Sequence, residues 1–285
     1  MIAQNFDYAS PANLQEALEL LGGENVKVLA GGMSLIPLMK LRLASPEQVV
    51  DIGRIHGLNT IREEKGTLRI GATTTHYQVE SSPLVRSQCP LLAEAASHIG
   101  DIQVRNLGTI GGSIAHADPA ADYPASLLAL EAKVVLMSAK TQREVPIAEF
   151  FVDTFTTALQ PGEIVREVIV PVEDHSTGTS YQKMVHPASG FAIVGVAARV
   201  RKSGGKIAMA RVGVTGLSGK PYRATGVEKA LEGSAGSPSD LQKAAAEVAA
   251  GVDANSDLHA SAGYRQHLAR IYALRALTIA LSRTA

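Results

Sequence analysis

Val26-Lys27-Val28-Leu29-Ala30-Gly31-Gly32-Met33-Ser34-Leu35 and Gly108-Thr109-Ile110-Gly111-Gly112-Ser113-Ile114-Ala115 are the two stretches whose reading decides this fold. In the first, a short β-branched run stops at paired glycines and gives way to residues 35–41, whose apolar spacing is helical. A strand, a glycine turn and a helical segment are therefore expected in succession. The second stretch repeats the Gly-Gly pair with hydroxyl residues on either side. Paired glycines free the backbone for positive φ and let a ligand approach with no Cβ in the way, and amides exposed in such a turn form a concavity for anions. Ser34, Thr109 and Ser113 add hydroxyl donors. A diphosphate, whose oxygens accept several hydrogen bonds at once, suits that donor set.

Around these stretches the pattern is mixed. Ser10-Pro11 followed by Leu14, Ala17, Leu18 and Leu21 and closed by Gly22-Gly23 predicts an amphipathic helix with Ser10 as its cap. Residues 49–52, 67–70 and 133–137 read as strands, and 90–99 and 119–130 as helices. From about Glu163 strand-like runs crowd together, at 164–170, 181–185, 191–201 and 207–214, which suggests an antiparallel sheet. The Gly/Ser/Pro-rich segment 233–239 then punctuates two helices over 240–250 and 260–281. The fold class is α+β, because strands and helices come in runs instead of regular alternation. A composition shift near 171–178 divides the chain into 1–172 and 173–285.

Composition narrows the chemistry. The 285 residues carry 27 Lys+Arg against 27 Asp+Glu, so the electrostatic footprint needed for a phosphate backbone is missing and nucleic acid is not an expected partner. Aromatics are 4% with no Trp, too few to furnish a base-stacking surface. Cys89 is the single cysteine, which excludes an internal disulfide and a multi-thiolate zinc or iron–sulfur site, so any cluster belongs to another chain. No stretch reaches about 18 uninterrupted apolar residues and no secretory leader is visible, so a cytoplasmic location is expected.

Standard signatures fail. The stretch Gly213 to Gly219-Lys220 has one residue too many between its glycines and continues with Pro221, so it is no P-loop. No G-x-G-x-x-G follows a strand, and Ser34 lacks the hydrolase elbow. After the second glycine stretch comes His116-Ala117-Asp118-Pro119-Ala120-Ala121-Asp122. Asp118-Pro119 fits a helix N-cap with a first-turn proline, and Asp122 is placed to accept from ribose hydroxyls or simply to complement a helix dipole. No second histidine converges on His116, so a metal site or triad is not expected there.

The paired motifs Ala30-Gly31-Gly32-Met33-Ser34 and Thr109-Ile110-Gly111-Gly112-Ser113 resemble the two diphosphate loops of the FAD-binding medium subunits of molybdenum hydroxylases, the xanthine dehydrogenase and carbon monoxide dehydrogenase family. Gln103-Val104-Arg105-Asn106, the 115–122 segment, Tyr181-Gln182-Lys183 and Gly190-Phe191-Ala192-Ile193-Val194 extend the resemblance over essentially the whole chain. It implies a two-lobed FAD domain of the vanillyl-alcohol-oxidase (PCMH) type, then a C-terminal antiparallel sheet with helices, and a non-covalent FAD relaying electrons to an external acceptor. Partner subunits are implied to carry a molybdenum–pterin cofactor and two 2Fe–2S clusters, in a dimer of heterotrimers. By the same resemblance Ala30, Gly31, Gly32, Met33, Ser34 and Leu35 with Thr109, Ile110, Gly111, Gly112 and Ser113 would grip the diphosphate. Asp122 would meet the ADP ribose, Ile164 or Val165 would meet the cofactor through its backbone, Lys183 would lie near the flavin ring and Phe191 against its face. Met33, Ser113 and Phe191 depart from residues frequent in relatives, and Met33 supplies no flavin-linking nitrogen. The competing readings are a stand-alone flavin oxidase and a non-catalytic ligand-binding protein of the same fold.

Overall fold

A computed structural model describes residues 2–284. The first lobe is a three-stranded parallel sheet of β1 (Asp7–Ala9), β2 (Val26–Leu29) and β3 (Gln48–Asp51) in the order β1-β3-β2, with α1 (Leu14–Leu20) and α2 (Leu35–Lys40) as its helices. The cap of α1 is Asn13, whose side chain accepts from the Glu16 amide, so the helix begins later than Ser10-Pro11 suggested. Asn is as good a cap as Ser, and the cap sits next to the first residue that turns inward.

The second lobe is an antiparallel sheet with helices on one face. Its strands are β4 (Ile61–Glu64), β5 (Thr67–Gly71), β6 (Lys133–Met137), β7 (Gln142–Pro146) and, after the short α9 (Ile147–Phe150) and the β8 (Phe151–Asp153)–β9 (Thr156–Thr157) hairpin, β10 (Ile164–Pro171). The order β4-β5-β10-β6-β7 puts β10 in the centre. Sequence proximity had grouped residues 164–170 with the strands after them. The chain instead returns them to the earlier sheet, where Val168 and Val170 are fully buried. Between β5 and β6 run α3 (His76–Ser81), α4 (Pro83–Gln88), α5 (Pro90–Ser97), α6 (Ile102–Leu107), α7 (Ile110–His116) and α8 (Asp122–Ala129), and a single apolar core joins all but α6, which buries no residue, to the sheet. Asp118-Pro119 does not cap α8. The Asp118 carboxylate accepts from the Ala120 amide in a local turn, and the helix starts one residue after Ala121.

The C-terminal part is a four-stranded antiparallel meander, β11 (Thr177–Val185), β12 (Ala192–Ser203), β13 (Lys206–Thr215) and β14 (Tyr222–Arg223), with α10 (Thr225–Leu231), α11 (Pro238–Ala246) and α12 (Ala262–Ser282). Helix α12 lies on the sheet through Leu268, Ala269, Ala273, Ala276, Leu277 and Ala280. Small residues at helical spacing let the backbones approach. A Cβ on Gly178 would stand 1.9 Å from the Ala280 carbonyl oxygen, so only glycine fits in β11 at that point. Among the described residues no helix is long and apolar enough to cross a membrane.

Candidate functional site

The two glycine stretches meet. A Cβ on Gly31 would lie 2.0 Å from the Leu107 carbonyl oxygen and 2.8 Å from the Gly108 Cα, so the first loop packs backbone to backbone against the residues just before Thr109. Within the first loop Gly32 has φ +74°, a conformation that costs an L-residue roughly 1–2 kcal/mol. The amides of Gly31, Gly32, Met33 and Ser34 donate to no described residue, and the Ser34 hydroxyl makes no cap bond although Ser34 opens α2. Four consecutive amides and a hydroxyl are thus left as unpaired donors in a partly exposed loop, flanked by half-buried Ala30 and Leu35. Unsatisfied donors gathered in this way fit an oxyanion, and the diphosphate of an FAD is such a group. The Met33 side chain is 37% exposed.

The second stretch is built differently. Residues 110–116 are the helix α7, capped by Thr109, and neither Gly111 nor Gly112 takes positive φ. Its amides are already engaged: Ile110 donates to the Thr74 carbonyl (3.0 Å), Gly111 to that of Ala72 (2.9 Å), Gly112 to the Thr109 hydroxyl (3.1 Å) and Ser113 to the Thr109 carbonyl (2.9 Å). The expectation of open amides in both loops is therefore corrected, because in the second one they anchor a helix to the end of β5. Glycine at 111 serves packing, since a Cβ would sit 2.4 Å from the Ala72 Cβ and 2.7 Å from its carbonyl oxygen. What this stretch leaves unbonded among the described residues is the half-buried Ser113 hydroxyl, whereas the buried Thr109 hydroxyl already accepts from the Gly112 amide.

Asp122 and Lys183 lie in one buried cluster. The Lys183 ammonium is 2.9 Å from Asp122 Oδ1 and donates to the His98 (2.7 Å) and Gly190 (2.8 Å) carbonyls, and the Tyr181 hydroxyl donates to Asp122 Oδ1 at 2.6 Å. The two charged side chains are 3% and 4% exposed. Burial pushes the Asp122 carboxyl up to about 6 against the opposing pull of Lys183 and of the Tyr181 hydroxyl. The carboxylate expected at the ADP ribose and the ammonium expected near the flavin ring are thus brought together as one ion pair, and in the chain by itself all three Lys183 protons and both Asp122 oxygens have protein partners. Tyr181, His98 and Gly190 were not foreseen. The Tyr181/Lys183 spacing of two, which puts both on one face of β11, was the available signal for the first, whereas backbone carbonyls of distant loops leave none.

Phe191 follows this cluster directly and is 41% exposed. Ile164 and Val165 are adjacent on β10 but face different cores, Ile164 the first lobe and Val165 the second. His116 stacks on Phe155 with ring centroids 5.1 Å apart and burial lowers its pKa, and no triad forms around it. Behind the second stretch, the buried His76 donates its amide to the Gly108 carbonyl and sets Nδ1 3.3 Å from the Tyr123 hydroxyl; burial and then Arg105 lower its pKa to about 4.

Residues 4–173 match the model of the FAD binding domain in molybdopterin dehydrogenase, and residues 179–280 that of the CO dehydrogenase flavoprotein C-terminal domain. The chain belongs to the FAD-binding medium subunits of the molybdenum hydroxylases. It is 42% identical over 287 residues to the carbon monoxide dehydrogenase medium chain of Hydrogenophaga pseudoflava, with 100% of both chains covered. To the glyceraldehyde dehydrogenase medium chain of Sulfolobus acidocaldarius it is 38% identical, covering 97% of this chain and 98% of that one. A solved structure of the Hydrogenophaga pseudoflava carbon monoxide dehydrogenase lacking the Mo-pyranopterin moiety of its cofactor superposes over 100% of both chains, with TM-score 0.97 and 43% identity. The architecture of this medium subunit is thus the two-lobed FAD domain followed by an antiparallel sheet with helices.

Proposed function

We propose that this chain is the FAD-carrying electron-transfer subunit of a multi-subunit molybdenum-containing dehydrogenase. The row of unpaired amides from Gly31 to Ser34, pressed against the start of the second glycine stretch, is the observation that carries the reading. A bound FAD supplies the two-electron to one-electron chemistry that links iron–sulfur clusters to an external acceptor. This chain's part is to hold it. The amides 31–34 and the Ser34 hydroxyl would hold the diphosphate from one lobe, and the Thr109 and Ser113 hydroxyls would hold it from the other. The Ile164–Val165 backbone borders the cleft where β10 joins the two cores, and Phe191 offers a ring for stacking. Asp122 and Lys183 would meet the ribose and the flavin ring as an ion pair. The chain divides at 172/173 into cofactor domain and C-terminal domain.

The partners are a large subunit with the molybdenum–pterin site, where substrate reacts, and a small subunit with two 2Fe–2S clusters, assembled as a dimer of heterotrimers in the cytoplasm. The named relatives are the medium chains of a carbon monoxide dehydrogenase and of a glyceraldehyde dehydrogenase, which supports partner subunits. The test is direct: the purified complex is yellow, and denaturation releases one FAD per copy of this chain. A colourless complex without flavin ends the proposal.

A further inference from the structure

The connector between α7 and α8, residues 117–121, runs from the second glycine stretch to Asp122 and is held from the C-terminal sheet. The Ala192 amide donates to the Ala120 carbonyl (3.1 Å) and the Gly216 amide to the Pro119 carbonyl (2.8 Å). The Thr215 hydroxyl lies 2.7 Å from the Pro119 carbonyl oxygen and 2.8 Å from that of Ala121, with a single proton to share between them. Thr215 is 1% exposed, so water does not compete for that proton. Gly216 has φ +79°, and a Cβ there would stand 2.6 Å from the Ile193 carbonyl oxygen and 2.7 Å from the Ala192 one. Behind these residues sits Arg265, buried in the first turn of α12. One of its terminal nitrogens donates to the Ile193 and Gly216 carbonyls, and the other to the Asp257 carboxylate. A guanidinium has the planar fork that joins two carbonyls and a carboxylate at once, which an ammonium cannot match. Asp257 meets its charge, and the other Asp257 oxygen accepts from the His259 and Ala260 amides.

We infer that Arg265 and Thr215 are positioning residues for the cofactor: Arg265 fixes the backbone at 193 and 216, and Thr215 with the Ala192 and Gly216 amides fixes the 119–121 carbonyls between Ser113 and Asp122. This inference rests on the cofactor reading above and deepens it. The C-terminal domain sets the separation of the Ser113 hydroxyl and the Asp122 carboxylate, two groups assigned to FAD, and neither Thr215 nor Arg265 has to touch the cofactor to do so. The connector's own bonds are a turn in which the Ala120 and Ala121 amides donate to Asp118. No strand or helix takes up its carbonyls, so the donors that reach them from the other domain decide where it lies.

The full-length chain is tested as T215V, which keeps the shape and removes the hydroxyl, as T215S, which restores it, and as R265K, which keeps the charge and loses the fork. L277A, further along α12 in the C-terminal core, supplies a loss of stability alone. The readings are exchange of the Ala192 and Gly216 amides in the flavin-free chain, the urea midpoint, the dissociation constant for added FAD, and the visible circular dichroism of the flavin that binds. In T215V the two amides should exchange about tenfold faster or more, as their carbonyl partners come loose. FAD should bind about fivefold more weakly to T215V and about tenfold more weakly to R265K, with altered flavin dichroism in both. T215S should lie within about twofold of the wild type in every reading, since it makes the same bond. L277A should lower the urea midpoint at least as far as T215V and leave the FAD constant and the dichroism as they are. FAD affinity that follows the urea midpoint through all four variants overturns the inference, because stability alone then explains it. Wild-type affinity and dichroism in T215V overturn it too, as does unchanged protection of the Ala192 and Gly216 amides. If R265K does not fold, T215V against T215S still decides. If the wild-type chain takes up no FAD, the cofactor reading fails on its own account, and the exchange data still decide whether Thr215 holds the connector.

Discussion

The two Gly-Gly stretches look alike on paper and do opposite things in the fold. In the first, Gly32 bends the chain with positive φ and the amides from 31 to 34 are left without partners. In the second, Gly111 is helical, its amide is spent on Ala72, and its missing side chain makes way for the protein itself. One stretch is shaped to meet a ligand and the other to seat a helix that meets it. The difference follows from the acceptors each one meets: the second finds the Ala72 and Thr74 carbonyls at the end of β5, whereas the first, although Gly31 packs on Leu107 and Gly108, meets no carbonyl that takes its amides.

The comparison breaks most visibly at Gly111. Gly111→Val drives a branched side chain into Ala72 and should destabilise the chain by about 3 kcal/mol or more, so that urea unfolding shifts strongly and flavin is lost only because the fold is lost. A stable, flavin-free Gly111→Val protein contradicts the packing role.

Acid probes the same stretch from behind. His76 is held near 4 in the folded chain against its ordinary 6.5, so the unfolded state binds more protons between those values. Its contribution is fully present above pH 6.5 and fades as the pH falls towards 4, by up to about 3 kcal/mol at 1.36 kcal/mol per unit. Denaturant midpoints measured from pH 7.5 to 4.5 should decline with a slope that His76→Gln removes; an unchanged slope in that variant assigns the acid loss elsewhere.

Changes in the first loop separate stability from ligand. Gly32→Ala forces an L-residue into left-handed backbone and costs about 1–2 kcal/mol of stability. The chain remains folded, and FAD affinity drops about tenfold because the four amides lose their common orientation, which fluorescence titration reads. Equal flavin loss with equal unfolding at Gly32 and Gly111 would erase the distinction between the stretches. The smallest effect on the fold is expected from Ser34→Ala. Its hydroxyl bonds nothing in the chain, so stability should stay within about 0.5 kcal/mol. FAD binding should weaken about fivefold, near 1 kcal/mol for one hydrogen bond. An unaltered affinity places the diphosphate away from Ser34.

The strands read at 26–30, 49–52, 67–70 and 133–137 stand within a residue of those bounds, and α12 was legible from its helical spacing, because burial on one face imposes a period that a sequence displays. Helices α3, α4 and α6 were not read, being six residues each and too short for a period to emerge. Their ends were written in the sequence all the same: Thr75 and Gln78 form a capping box and Asp101 caps α6. Strand β10 was legible as a strand, but its partners were not, since a buried central strand is apolar throughout and carries no mark of the sheet it joins.

By itself, then, the sequence determined which positions lack a side chain, which carry hydroxyls, and that one domain of mixed elements precedes another, because these are properties of residue type and local spacing. Which amides remain unpaired, which glycine faces protein, and that Lys183 finds Asp122 were decided by tertiary structure alone. Each of those depends on carbonyls and carboxylates brought in from far along the chain, and a hydrogen bond is satisfied by proximity in space, whatever the separation in sequence.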